Sequence, residues 1–135
     1  MNYMRLAASA VISAAALFAG EMAFIALMGS RIMAARQAAG LPEFVPQPLL
    51  SILETLLTGA FIAWLYVSVR PRYGTGPKTA VVAGVAAWGG LVLLSTIHMI
   101  GEGLGLPASL LLTVAVVVLP VFIGASLAGA WFYKE

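Results

Sequence analysis

The chain has 135 residues, of which 62% are hydrophobic and only 9% charged, with a mean hydropathy of +1.05. A soluble domain carries about 25% charged residues, so there is too little polar surface here to cover a water-soluble globule, and the solvent is lipid. The net charge of +2 comes without the basic run and interleaved aromatics of a nucleic-acid surface. The absence of Cys excludes disulfides, thiolate metal sites and Cys nucleophiles.

The first apolar segment, residues 6–28, is long enough for a bilayer crossing of about 20 residues and is interrupted only by Glu21. A signal peptide is the rival reading, with residues 1–5 as its basic start. No small-x-small site follows the apolar run, which continues to Met28, so the segment is read as a retained span. Residues 30–39 are rich in Ala, Met, Arg and Gln, good helix formers that extend the first helix beyond the membrane or along its surface. Gly40 is the expected stop, and Pro42, Pro46 and Pro48 forbid continuation.

The second span, residues 49–69, opens behind Pro48, contains Glu54 and ends in Trp64, Tyr66 and Arg70, the aromatic and basic signature of a membrane–water boundary. Residues 71–78 carry Pro71, Arg72, Gly74, Gly76, Pro77 and Lys78 and are expected to form a turn rather than a helix. The third span, residues 79–100, is rich in Ala and Gly, and the short connection after it makes spans three and four antiparallel neighbours. The fourth, residues 107–132, carries Pro120 near its middle, where a kink is expected. Trp131, Tyr133 and Lys134 give a second boundary signature. The expected fold is therefore an all-α membrane protein, a single domain of four transmembrane helices in an antiparallel bundle. With both termini inside, Arg5, Arg70, Arg72, Lys78 and Lys134 face the cytoplasm and only Arg31 and Arg36 face out, so the positive-inside rule favours cytoplasmic termini.

In that orientation Glu21, Glu54 and His98 all fall in roughly the outer third of the bilayer, at 1.5 Å rise per residue. Glu102, four residues beyond His98, shares its face if the helix persists. Thr55, Thr58, Ser95, Thr96, Ser109 and Thr113 lie in the same layer, whereas the inner half offers mainly small residues with Ser9, Ser13 and Ser126. A charged carboxylate in hydrocarbon costs at least about 2.5 kcal/mol, which it avoids by being protonated, paired or in contact with water. One reading is a shared buried site at Glu21, Glu54, His98, Glu102, Thr55 and Thr58 for a proton or small ligand. The bland reading has Glu54 with Thr58, or Glu21 with His98, as hydrogen bonds that hold the bundle. For His98, near the surface, and for Glu102, between Gly101 and Gly103, a solvated position is the expectation. A divalent metal at Glu21, Glu54 and His98 is a weaker reading, because the chain holds one His in all, and no cofactor is expected.

Ala16-x-x-x-Gly20, Ala80-x-x-x-Gly84 and Gly124-x-x-x-Ala128 are small-x-x-x-small spacings that allow close helix contact. Gly74-x-Gly76 lacks the Gly-Lys-Ser/Thr of a phosphate loop. The turn from Tyr66 through Arg70, Pro71, Arg72, Tyr73 and Gly74 to Gly76, Pro77, Lys78, Thr79 and Ala80 resembles one in small, uncharacterised bacterial four-span proteins. The resemblance implies a multi-pass protein of the bacterial inner membrane and carries no activity. Two functions follow as expectations. The first is an accessory or small-ligand-binding membrane module. The alternative is a proton-coupled transporter or proton relay using Glu21 and Glu54. No nucleophile–base pair or cofactor fingerprint argues for an enzyme. Besides lipid, a thin four-span bundle is expected to have a second copy or a larger membrane complex as its partner.

Overall fold

The computed structural model describes residues 2–43, 45–103 and 105–133. It contains four helices long and apolar enough to cross a membrane: α1, Tyr3–Ala38; α2, Pro48–Tyr73; α3, Pro77–Gly101; and α4, Ala108–Phe132. No strand occurs among the described residues. Helices of 25 or 26 residues reach about 38 Å, enough to pass about 30 Å of hydrocarbon. The 36 residues of α1 reach about 54 Å, so one end of it extends well beyond that thickness.

Local sequence sets each boundary. The Asn2 side chain accepts the Arg5 N–H at the start of α1 (3.2 Å). After Ala38 the Leu41 N–H reaches back to the Arg36 carbonyl while Gly40 takes φ +64°, a conformation that favours glycine. Arg36 donates to the Pro42 carbonyl (2.9 Å) and folds the connection onto the helix end. Pro48 and Pro77 occupy first helical positions, where a missing N–H costs nothing.

The second helix runs past its expected end. Pro71 lies inside α2, and the turn is confined to residues 74–76. Within the last helical turn Pro71 removes one backbone donor, yet the Gly74 N–H still closes on the Arg70 carbonyl (2.8 Å). Gly74 and Gly76, with φ +78° and +134°, then reverse the chain, and the buried Thr79 hydroxyl donates to the Gly74 carbonyl (2.8 Å). Helix α4 is continuous through Pro120.

Each helix packs on its neighbours in chain order, and α4 closes back on α1. Leu17, Ile62, Ala87, Phe122 and Ala125 form the central core, with at least one residue from every helix. Lipid tails are as apolar as Leu, so helix association rests on close packing and interhelical hydrogen bonds. Both occur together. Ser9 donates to the Gly129 carbonyl (2.9 Å), Ser13 to that of Ala125 (3.1 Å) and Ser126 to that of Ala80 (2.7 Å), and all three serines are buried. Many of the large apolar side chains turn outward, among them Phe18, Ile25, Leu56, Leu94 and Val116, as contact with lipid requires.

Helix α3 contains a π turn over Gly89–Leu93. The two glycines there are poor helix formers with open space around them, so the backbone can widen without a clash. Immediately before it the Trp88 indole N–H donates to the Ala115 carbonyl of α4 (2.8 Å) and fixes α3 against it.

Candidate functional site

Between the π turn and the second helix lies a cleft of about 670 Å³, walled by all four helices. Glu21 comes from α1, Glu54 and Thr58 from α2, Leu91, Val92 and Ser95 from α3, and Val118 and Phe122 from α4. The Leu50, Leu53 and Leu57 side chains complete the α2 wall. Each element has a reason to present these groups. In α2, Leu50, Leu53, Glu54, Leu57 and Thr58 follow the three- and four-residue spacing of one helical face. In α3, the π turn brings Val92 and Ser95 to the face that Ala80, Ala83 and Ala87 occupy one to three turns earlier.

Glu21 is half-buried at the cleft wall, and Glu54 is exposed toward it. The Glu21 carboxylate accepts from the buried Thr55 hydroxyl, whose oxygen lies 3.2 Å from Oε2 and 3.4 Å from Oε1. That same hydroxyl oxygen lies 2.9 Å from the Ser51 carbonyl. A hydroxyl has one proton, so Thr55 serves either form of the acid. It donates to a carboxylate; alternatively a protonated Glu21 donates to Thr55, whose own hydroxyl then donates a hydrogen bond to the Ser51 carbonyl. The partner of Glu21 is therefore Thr55, not His98, and Thr58 lines the cleft beside Glu54, one turn along the same helix.

The remaining polar residues of that layer go elsewhere. His98 is exposed and does not line the cleft. Glu102 is an exposed residue of the turn after α3, its N–H closing on the His98 carbonyl (2.9 Å). Among the described residues no three of His, Cys, Asp and Glu gather closely enough to hold a metal ion, so Glu21, Glu54 and His98 do not form one ligand set. The Ser95 hydroxyl donates to the Leu91 carbonyl of its own helix, and Thr113 donates to Ser109 (2.7 Å). Thr96 is buried.

At the opposite end of the bundle, Arg70 is half-buried, 5.9 Å from the Tyr66 ring centre and 5.1 Å from that of Tyr133. The two rings meet edge to face at 6.4 Å. The residues with a boundary signature thus divide. Trp64, Arg72, Lys78 and Trp131 are exposed, while Tyr66 and Tyr133 turn inward and hold the Arg70 guanidinium by cation–π contact. Lys134 lies outside the described residues. This aromatic box was not foreseen from the sequence, although Tyr66 and Arg70 stand four residues apart on one helical face.

Comparison with known proteins finds no matching family model, no similar curated protein and no similar solved structure.

Proposed function

We propose that this chain is an accessory or ligand-binding module of a bacterial inner membrane, and that its site is the Glu21–Glu54 cleft. One observation carries the reading: two acids from different helices line a single cleft. Its volume, about 670 Å³, falls in the range of roughly 300–1,000 Å³ typical of small-molecule sites. A lipid-soluble carbodiimide applied to native membranes tests it, since such reagents modify protonated carboxyls in apolar surroundings. Glu21 and Glu54 are expected to carry the adduct, while a water-soluble carbodiimide prefers Glu43 and Glu102. Modification of Glu21 and Glu54 only after the protein is unfolded would contradict the reading.

Proton relay at the same two acids draws support from the Thr55 hydroxyl, which suits both protonation states of Glu21. Binding is favoured over relay by the section beyond the cleft, where Ser9, Ser13, Ala63, Ala125 and Gly129 are all buried and close-packed.

We further propose an antiparallel bundle with cytoplasmic termini. Pairing of Ser9 with Gly129 and Ser13 with Ala125 supports opposite directions for α1 and α4. The Asn2 N–H donates to the Tyr133 hydroxyl (3.3 Å), which supports one side for both ends. Arg5, Arg70, Arg72 and Lys78 would then face the cytoplasm, against Arg31 and Arg36 outside. In right-side-out vesicles, an impermeant thiol reagent is expected to label Glu43→Cys and Glu102→Cys but not Thr75→Cys; the opposite pattern would invert the topology. Between 22% and 28% of each span's most apolar stretch is buried, which supports association with a second copy or a larger membrane complex. A monomeric mass in mild detergent would count against it.

A further inference from the structure

We infer that the occupant of the Glu21–Glu54 cleft is an organic cation with an apolar body. The inference rests on the cleft being the ligand site and adds the class of ligand. Among its described lining residues Glu21 and Glu54 are the only charged ones, and no Lys, Arg or His stands there. In a medium of low dielectric an uncompensated carboxylate is costly and its attraction for a cation is correspondingly strong. A positively charged ligand therefore favours the ionised form of the two acids and pairs with it, whereas an anion is repelled by that form.

The walls decide between an organic cation and a metal ion. Leu50, Leu53, Leu57, Val92, Val118 and Phe122 supply hydrocarbon and no oxygen ligands. Besides the carboxylates, the described lining side chains offer only the Thr58 and Ser95 hydroxyl oxygens, too few to complete a divalent-cation shell. Divalent cations take six or more oxygens or a tight set of His and carboxylate groups, and no such set gathers among the described residues. A hydrated ion would leave this apolar wall wet, whereas an alkyl or aryl body covers it. Leu50, Leu53, Leu57 and Leu91 are exposed on the outer rim. The cleft thus opens sideways between α2 and α3, where an amphipathic cation already dissolved in the bilayer can enter with its charge directed at the carboxylates.

The test uses the full chain in lipid nanodiscs and two ions of the same shape, tetraphenylphosphonium and tetraphenylborate. Saturable binding is expected for the phosphonium and none for the borate. Glu21→Gln and Glu54→Gln are each expected to weaken phosphonium binding about tenfold or more, the loss of one charged contact. Equal binding of both ions, or phosphonium binding that is unchanged in the double Gln variant, would overturn the inference. If the double variant does not fold, protection replaces it: phosphonium, but not borate, slows carbodiimide modification of Glu21 and Glu54 in the unaltered chain. Modification that proceeds unslowed would leave the cleft as a site and refute the cationic class. Failure of those acids to be modified at all in the native protein would refute the cleft itself.

Discussion

Glycine positions decide how closely these helices approach, and they do so unequally. A Cβ at Gly59 would stand 2.6 Å from the Ala14 nitrogen and 2.8 Å from the Ala10 carbonyl oxygen, both backbone atoms that cannot step aside. At Gly124 it would meet nothing within 4 Å. Gly59→Ala is therefore expected to destabilise the bundle by about 1–3 kcal/mol, the usual cost of overpacking, while Gly124→Ala stays within about 0.5 kcal/mol of the parent. Unfolding by dodecyl sulfate titration measures both, and equal midpoints would contradict the packing described. The same contrast shows what was legible in the sequence. Ala80 and Gly84 do form a close contact, with a Cβ at Gly84 only 2.9 Å from the Phe122 carbonyl oxygen. The expected Gly124/Ala128 pair is displaced by one residue: Ala125 and Gly129 are buried instead, and Gly124 is exposed. Gly59 and Ala63 carry the same spacing and went unnoticed. In a chain so rich in small residues the spacing recurs on several faces, and only the partner helix selects one.

At the scale of the element, the π turn of α3 explains the position of His98. Ala80, Ala83, Gly84 and Ala87 mark the buried face, and an unbroken 3.6-residue period from Ala87 would carry that face to residue 94 and then to His98. The π turn inserts an extra residue, so the face passes through Val92 and the buried Thr96, and His98 turns outward. Sequence periodicity assumes a regular helix, and the Gly89–Gly90 pair was its only visible warning. The Trp88 indole is the tie that holds this irregular helix to α4. Trp88→Phe keeps the ring and removes the donor to the Ala115 carbonyl. It is expected to cost about 0.6 kcal/mol and at most about 1.7, the range for interhelical hydrogen bonds in a bilayer. Equilibrium unfolding in bicelles measures the change. A loss of several kcal/mol would show that ring packing, not the hydrogen bond, is what matters there. Proline behaved differently at position 71 from what local sequence suggests: α2 passes Pro71 without ending, as α4 passes Pro120. Neighbouring helices in lipid stabilise a backbone that would fray in water.

For the molecule as a whole, composition and span length were enough to give four helices of membrane-crossing length, because hydrocarbon admits few other arrangements. The site was only half legible. Rise per residue places Glu21 and Glu54 at one level, and both line the cleft; azimuth, which follows from packing, leaves His98 and Glu102 off it and joins Glu21 to Thr55. A ligand site here requires those two acids to share one cleft. The chain has no Cys, so a Glu21→Cys/Glu54→Cys pair introduces the only thiols and reports on nothing else. A short bis-methanethiosulfonate linker applied to membranes is expected to join the two thiols within one chain, in a product that migrates as a monomer and is absent when His98→Cys replaces Glu54→Cys. If linkage fails with both thiols reactive, or is as efficient from His98, the two acids do not share a cleft.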